Sequence, residues 1–192
     1  VDGNIFIDFA GGIGTMNVGH SHPKILKRIK IQLDKYSHTC FSVAPYESYI
    51  ELAERLSELV PRSGAPKAAF FNSGAEAVEN AVKIARYFTN KKSILSFRGG
   101  FHGRTYLAMG LTGKDKPYKE GFGPFPEFVK HAVYPYSYRD ISDKDALLSV
   151  NQLLNNTLDP NDTAEIVIEV ELGEGGYIPA SSYFLSQLRD IC

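Results

Sequence analysis

Short apolar runs alternate with longer helical stretches along the chain beyond residue 66. The runs are residues 68–71, 94–97, 132–134 and 165–169, and the helical stretches lie near 76–89, 103–110 and 143–155. This alternation is typical of crossover units, in which a helix returns the chain to the next parallel strand. We therefore predict an α/β fold with a parallel-type sheet flanked by helices. Ligands on such sheets bind at the carboxyl ends of the strands, so the residues after each run are the first site candidates.

A polar turn follows the first of these runs and opens a helix. Ser73 is suited to cap that helix, and Glu76 to accept a hydrogen bond from the amide of the cap residue, as in a reciprocal capping box. Gly74 and Ala75 leave the next amides uncovered at the positive end of the helix dipole, where a phosphate could bind. Capping boxes also begin many helices that bind nothing, so the motif alone leaves both interpretations open.

The first part of the chain has a different pattern. Residues 4–9 alternate like a half-buried strand, and the glycine-rich residues 11–14 follow as a flexible approach to whatever lies beside them. Helices are predicted over about 23–36 and 47–60, the second ending at a loop over 61–66. The Gly-, Pro- and Tyr-rich residues 114–139 indicate a long surface loop with one embedded strand, a feature typical of a pocket wall or a subunit contact.

Composition excludes several classes of protein. Lys and Arg number 21 and Asp and Glu 22, so a net charge of −1 gives no field that would attract nucleic acid or an anionic membrane. Cys40 and Cys192 are too few for a disulfide framework, which favours a reduced, cytoplasmic interior. Neither cysteine has a metal-ligand spacing with the five histidines, and no metal is expected. No apolar run approaches the roughly 20 residues of a membrane span.

Several spaced motifs occur in an order that one family shares. They are Asp-Gly-Asn at 2–4 with 8–13, His-Thr-Cys-Phe at 38–41, Gly-Gly-Phe-His-Gly-Arg-Thr at 99–105, and 166–169 with 173–176. With the turn at Ser73 they resemble the class III aminotransferases that use pyridoxal phosphate and, within that family, the 4-aminobutyrate aminotransferases. The resemblance covers essentially the whole chain. It implies fold type I of the pyridoxal-phosphate-dependent transferases, and transfer of the amino group of 4-aminobutyrate or a similar ω-amino acid to 2-oxoglutarate.

The resemblance also implies the organisation of the chain. Residues 1–45 would form an N-terminal segment, and 46–192 part of the large cofactor-binding domain. In this family the lysine that binds the cofactor covalently, and the aspartate against its pyridine nitrogen, follow the helix that begins near Ser181. No catalytic residue is therefore assigned in this chain. Two explanations are open: the sequence is a portion of a longer polypeptide, or it is a truncated, non-catalytic fragment that binds phosphate weakly or serves as an interaction partner.

The cofactor residues follow from the same resemblance. Ser73, Gly74 and Ala75 would hold the phosphate, and Phe101, with His102 beside it, would lie against the pyridine ring. Stacking of an aromatic side chain on a flat ring contributes roughly 0.5–1.5 kcal/mol beyond burial. From the residues alone, a core phenylalanine and a packed histidine are the simpler interpretations.

Four further residues are substrate candidates. Arg104 suits a carboxylate, because a planar guanidinium donates two parallel hydrogen bonds that lysine cannot reproduce. The resemblance gives Arg104 the substrate carboxylate and Ile13 an apolar contact at the same end of the pocket. It places Glu169 near that arginine, and gives Glu174 the role of masking a distant arginine until a dicarboxylate arrives.

The resemblance is imperfect in one segment. The family pattern has proline where this chain has Val170, and glutamine where it has Leu172, so we expect a freer backbone and the loss of a polar group there. A related alternative activity is that of ornithine or acetylornithine aminotransferase, which would surround Ile13 and Arg104 with different groups. Enzymes of this family are homodimers with the site at the subunit interface, so a homodimer is expected.

Overall fold

The computed structural model describes residues 2–60, 64 and 66–192. They divide into two compact units, Val1–Ala69 and Phe70–Cys192. All residues of the second unit are described, whereas the loop predicted over 61–66 falls mostly outside the described residues. Among the described helices, none combines the length and apolar character needed to cross a membrane.

The first unit is helical. It contains a four-residue turn, α1 (Gly11–Gly14), and two regular helices, α2 (Pro23–Lys35) and α3 (Glu47–Leu59). Proline at the first position of α2 fixes φ near its helical value and loses no hydrogen bond there, since that amide has no partner inside the helix. The two predicted helices are therefore confirmed.

The strand predicted over residues 4–9 is wrong. These residues have no regular secondary structure, and the side chains of Ile5, Phe6, Ile7 and Phe9 are exposed. A period-two pattern makes a strand only when a neighbouring strand completes its hydrogen bonds, and no strand is found among the described residues of this unit.

The glycine segment that follows is a defined turn, not a flexible approach. Its residues have φ between 52° and 78°, a left-handed conformation that glycine adopts without strain. The amide of Gly11 donates to Oδ1 of Asp8 at 2.9 Å, and Oδ2 of the same carboxylate lies 2.9 Å from Nε2 of His20. Asp8 therefore fixes where the turn begins.

The second unit is built on a parallel sheet. Its strands are β1 (Ser93–Phe97), β2 (Val129–Ala132) and β3 (Thr163–Ile166), in the spatial order β2-β1-β3. Both pairings of β1 are parallel. The central strand is buried on both faces, as parallel strands between helical layers usually are. The α/β prediction is confirmed.

Helices cover both faces of this sheet. They are α4 (Gly74–Thr89), α5 (Tyr106–Leu111), α6 (Asp143–Asn156) and α7 (Ser182–Ile191), and a short antiparallel pair, β4 (Glu171–Leu172) with β5 (Ile178–Pro179), precedes α7. Successive residues of β1 point to opposite faces. Ile94 belongs to the core cluster that includes Val82 of α4 and Leu111 of α5, whereas Leu95 packs in the cluster of α6 and α7.

Three strand predictions differ from the structure. The run predicted at 165–169 forms a strand, β3, that already ends at Ile166. Residues 68–71 form no strand. An apolar run becomes a strand only when it pairs with a neighbouring strand, and the parallel sheet of the second unit consists of β1, β2 and β3. The run predicted at 132–134 forms a strand that ends at Ala132. The next amide, of Val133, donates to Oγ of Ser149 at 3.0 Å and so leaves the ladder.

Candidate functional site

The loop after β1 lies against the first turn of α4, and Gly103 makes this contact. A Cβ at Gly103 would lie 2.7 Å from Cβ of Ala75 and 3.1 Å from Cβ of Ala108. The φ of Gly103 is +128°, a conformation that residues with a side chain rarely adopt. Glycine at this position therefore brings the residues around Phe101 next to the start of α4.

The start of α4 presents open backbone donors. Oγ of Ser73 accepts from the amide of Glu76 at 3.1 Å, which confirms the predicted cap. The carboxylate of Glu76 accepts from the amide of Asn72 at 2.6 Å, whereas the predicted donor is the amide of Ser73. In α6 the shorter Asp145 completes a capping box with its cap residue, and the longer side chain of Glu76 reaches one residue further. The amides of Gly74 and Ala75, the first two of the helix, have no partner inside it. A Cβ at Gly74 would meet no atom within 4 Å.

Phe101 stands on a braced bend after β1. The amide of Gly113 donates to the carbonyl of Gly100 at 2.8 Å, and the amide of Gly100 donates to that of Phe97 at 3.2 Å. The ring of Phe101 is partly exposed and lies 5.0 Å from the ring of Tyr118, centroid to centroid. Phe101 is therefore not a core residue.

His102, by contrast, is packed into the interior. Its side chain is buried, with Nε2 3.3 Å from Oγ of Ser96, and its amide donates to Oγ1 of Thr112 at 3.0 Å. Burial lowers the pKa of His102, although the charge of Glu169 opposes the shift. Burial lowers the pKa of His131 as well. A packed, neutral imidazole beneath the Phe101 bend is the structural role of His102.

Because the pKa values of His102 and His131 are lowered in the folded protein, we expect the second unit to lose stability in mild acid. A lowered pKa in the folded state means that the unfolded chain binds protons first, below its own pKa of about 6.5. The free energy of unfolding should hold above that pH and fall as pH decreases toward the folded-state pKa values. Urea denaturation at several pH values between about 7.5 and 5.5 measures the slope. His102→Gln should flatten it, and an unchanged slope would contradict the assignment.

Arg104 belongs to a small charged cluster around Tyr118. The guanidinium carbon of Arg104 and the ammonium of Lys114 each lie 5.9 Å from the centre of the Tyr118 ring, within the range of cation–π attraction. Nζ of Lys114 forms an ion pair with Oε1 of Glu174 at 3.1 Å. Hydrogen bonds from Tyr118 and Lys114 lower the pKa of Glu174, which keeps it ionised. Arg104 itself is exposed.

Both carboxylate oxygens of Glu169 accept from backbone amides. Its Oε1 accepts from the amide of Phe101 at 2.7 Å, and its Oε2 accepts from the amide of Gly173 at 2.9 Å. One carboxylate thus connects the loop after β1 to the turn that carries Glu174. Its predicted influence on Arg104 stays a prediction.

Ile13 lies in the first unit, in turn α1. It is exposed and has a φ of 58°, which is uncommon for a β-branched residue. Its predicted role beside Arg104, a residue of the second unit, stays a prediction.

Sequence reasoning missed Lys114, Tyr118 and the packing of Gly103 on Ala75. Lys114 and Tyr118 belong to the segment 114–139, whose length and composition indicate a pocket wall or a subunit contact. No local sequence pattern identifies the individual contacts within it. The glycine contact joins positions far apart in sequence, so only the fold reveals it.

The segment that departs from the family pattern is well anchored. Leu172 is buried in the core, and a Cβ at Gly175 would lie 2.9 Å from its Cδ1. The carbonyl of Val170 accepts from the amide of Ala180 at 2.9 Å and from the hydroxyl of Tyr134 at 3.2 Å. The expected freedom of the backbone at Val170 is therefore wrong, because these two donors hold it.

Comparison with known proteins gives a family and a fold. The family model for class III aminotransferases matches residues 1–192. The chain is 45% identical to a 5-aminovalerate aminotransferase of Pseudomonas putida and 45% identical to a 4-aminobutyrate aminotransferase of Escherichia coli. In each case all of this chain aligns with 45% of the relative. The chain therefore spans less than half the length of these curated relatives.

Solved structures of transaminases also resemble this chain, again over less than half of their length. An ω-transaminase from Thermomicrobium roseum superposes with a TM-score of 0.85 at 28% identity, over 97% of this chain and 45% of that one. A taurine:2-oxoglutarate aminotransferase from Bifidobacterium kashiwanohense, in complex with pyridoxal phosphate and glutamate, gives 0.88 at 26% identity, over 97% and 44%. The predicted fold type is confirmed, and the chain belongs to the class III aminotransferases.

Proposed function

We propose that this chain is part of an aminotransferase that uses pyridoxal phosphate to move the amino group of 4-aminobutyrate or a similar ω-amino acid to 2-oxoglutarate. The observation that carries the proposal is the packing of Gly103 on Ala75. This contact brings a partly exposed aromatic ring, an exposed arginine and open helix amides to the same end of the sheet. None of the comparisons favours the alternative of a non-catalytic fragment.

The start of α4 fits a phosphate. The amides of Gly74 and Ala75 are open donors at the positive end of the helix, and the space that a side chain at Gly74 would fill is empty. Ser73 is exposed as well, so its hydroxyl can donate to a phosphate oxygen while the same oxygen atom accepts from Glu76. We assign the phosphate of the cofactor to these three residues.

Bound pyridoxal phosphate supplies an electron-withdrawing ring that stabilises negative charge on the substrate carbon. In this proposal Phe101 stacks on the face of that ring, and Glu169 holds Phe101 in place through its amide. His102 supports the bend from below and reaches the cofactor only through Phe101. The chain thus binds and orients the cofactor at both its phosphate and its ring.

Arg104 would hold the substrate carboxylate, with Ile13 as an apolar contact. Because a guanidinium far from the reacting carbon fixes the distance between carboxylate and amine, it selects ω-amino acids over α-amino acids. The two 45% identical relatives act, by their names, on substrates that differ by one methylene. A substrate of four or five carbons is therefore proposed, and comparison of the two amino acids at equal concentration distinguishes them.

A homodimer in the cytoplasm completes the proposal. Ile84, Tyr87 and Phe88 give the last turns of α4 an exposed apolar surface. Apolar patches of this kind often mark protein contacts. Sedimentation of the full-length protein measures the oligomeric state, and a monomer at micromolar concentration would contradict this part.

Gly74→Asp separates phosphate binding from folding. An acidic residue in the first helical turn favours the helix dipole by roughly 0.3–1 kcal/mol, so stability should not fall. The same charge repels phosphate, and we expect the affinity for pyridoxal phosphate to drop at least about tenfold, whereas that for pyridoxal, which lacks the phosphate, stays within about twofold. Fluorescence titration of the full-length protein measures both.

Gly74→Asn is the matched control, because it has the same size without the charge. It should lose much less affinity for pyridoxal phosphate than Gly74→Asp. Equal losses for pyridoxal and pyridoxal phosphate would contradict the phosphate assignment. Failure of the full-length protein to bind either compound would overturn the proposed function itself.

A further inference from the structure

The hydroxyl of Tyr134 lies among three backbone carbonyls. It is 3.2 Å from the carbonyl oxygens of Glu169 and Val170 and 3.1 Å from that of Ile178. Burial, together with the negative charge of Glu169, raises the pKa of Tyr134 to about 12. The hydroxyl therefore stays protonated at neutral pH and acts as a donor shared by the three carbonyls.

Tyr134 is a rigid support for that donor. The residue is 3% exposed, and its ring packs edge-to-face against Phe97 and Phe184, with ring centroids 6.1 and 6.4 Å apart. Tyr134 follows the carboxyl end of β2, whereas the carbonyls of Glu169 and Val170 belong to the segment after β3 and that of Ile178 to β5. The hydroxyl thus joins the carboxyl ends of two strands that are not neighbours in the sheet.

The segment that Tyr134 holds carries Glu169. The carbonyl of Glu169 is one of the three acceptors, and its carboxylate accepts from the amides of Phe101 and Gly173. A continuous chain of hydrogen bonds therefore leads from Tyr134, through both ends of Glu169, to the backbone of Phe101 after β1. Among its members, Phe101 alone is proposed to touch the cofactor.

We propose that the Tyr134 hydroxyl is a positioning group, which fixes the backbone of Glu169 so that its carboxylate holds the amide of Phe101. The link to the cofactor rests on the proposed function, whereas the link from Tyr134 to Phe101 does not. The carbonyl of Val170, the residue after Glu169, accepts from both Tyr134 and Ala180, so the backbone that Tyr134 holds extends past Glu169.

Tyr134→Phe in the full-length protein tests the proposal, because it removes the hydroxyl and keeps the ring. Amide hydrogen exchange, read by nuclear magnetic resonance, should quicken about fivefold or more at Phe101 and Gly173, whereas the amides of Leu95 and Phe97 in β1 keep their protection. Tyr138→Phe is the matched control. Tyr138 is 86% exposed, and removal of its hydroxyl should leave exchange unchanged at the amides of Phe101 and Gly173 and at those of Leu95 and Phe97.

A second substitution decides whether the effect passes through Glu169. In a Glu169→Ala background, Tyr134→Phe should add less than about twofold to exchange at Phe101, because the side-chain acceptor that Tyr134 positions is absent. An equal effect in both backgrounds, no effect at all, or faster exchange throughout β1 would each overturn the proposal. Should Tyr134→Phe not fold, 3-fluorotyrosine at this position, a stronger donor, should slow exchange at both amides, and unchanged or faster exchange would overturn it.

Binding of pyridoxal phosphate separates this inference from the proposed function. If Tyr134→Phe quickens exchange at Phe101 but the wild-type protein binds no pyridoxal phosphate, the positioning role holds and the proposed function fails. If the wild-type protein binds it and exchange at Phe101 does not respond to the substitution, the positioning role fails alone.

Discussion

Replacing Arg104 by lysine is expected to lower kcat/KM for 4-aminobutyrate about 10- to 100-fold in the full-length enzyme. Lysine keeps the positive charge but loses the paired, planar hydrogen bonds, and a hydrogen bond to a charged group contributes roughly 1.5–3 kcal/mol. Arg104 lies beside Tyr118 and is assigned to the substrate carboxylate, not to the cofactor phosphate, so the affinity for pyridoxal phosphate should change less than about threefold. Steady-state kinetics and a cofactor titration measure the two quantities.

Arg189→Lys provides the control, because Arg189 is an exposed arginine near the end of α7. Both quantities should stay within about twofold of the wild type. Losses of equal size in cofactor affinity and in use of the ω-amino acid would count against the assignment of Arg104 to the substrate carboxylate.

Gly113→Ala is expected to be the most destabilising of the substitutions considered. A Cβ at Gly113 would lie 2.1 Å from the carbonyl oxygen of Phe97 and 2.6 Å from Cα of Arg98. Both atoms are backbone at the end of β1, so no side chain can rotate away, and we expect a loss of about 3 kcal/mol in the free energy of unfolding. Because Gly113 also braces the bend that carries Phe101, affinity for pyridoxal phosphate should fall too.

Gly74→Ala makes the same chemical change where there is room. No atom lies within 4 Å of the added Cβ, and the position is at the start of a helix. Its effect on urea denaturation should stay below about 0.5 kcal/mol. If Gly113→Ala were tolerated as well as Gly74→Ala, the close approach of Gly113 to β1 would be wrong.

Much of the second unit is predictable from sequence because its signals are local. The apolar run at Ser93–Phe97 is buried on both faces, so hydrophobicity alone marks it as a central strand. Ser73 has the side chain and the position that a helix cap requires. The order of motifs then gave the family, which comparison confirms.

The remaining features depend on contacts that sequence does not encode locally. The alternation at residues 4–9 has the period of a strand, yet strand formation depends on a partner. Glu169 carries a charge that invites pairing with Arg104, but its two oxygens accept from amides of Phe101 and Gly173, which follow different strands. Glu169 and Phe101 are far apart in the sequence, so their hydrogen bond becomes visible only in the folded structure, where the ends of the strands lie close together.

The charges near Tyr118 bear on how one site could accept two kinds of acid. Arg104 and Lys114 supply two positive charges and Glu174 one negative charge, so an excess of one positive charge remains. Under the proposed function, one carboxylate of a substrate would balance this excess, whereas a second carboxylate would stay uncompensated unless Glu174 separates from Lys114 and leaves the cluster. Because counterions weaken such effects over about 10 Å at 0.1 M salt, discrimination between the two acids should diminish as ionic strength rises.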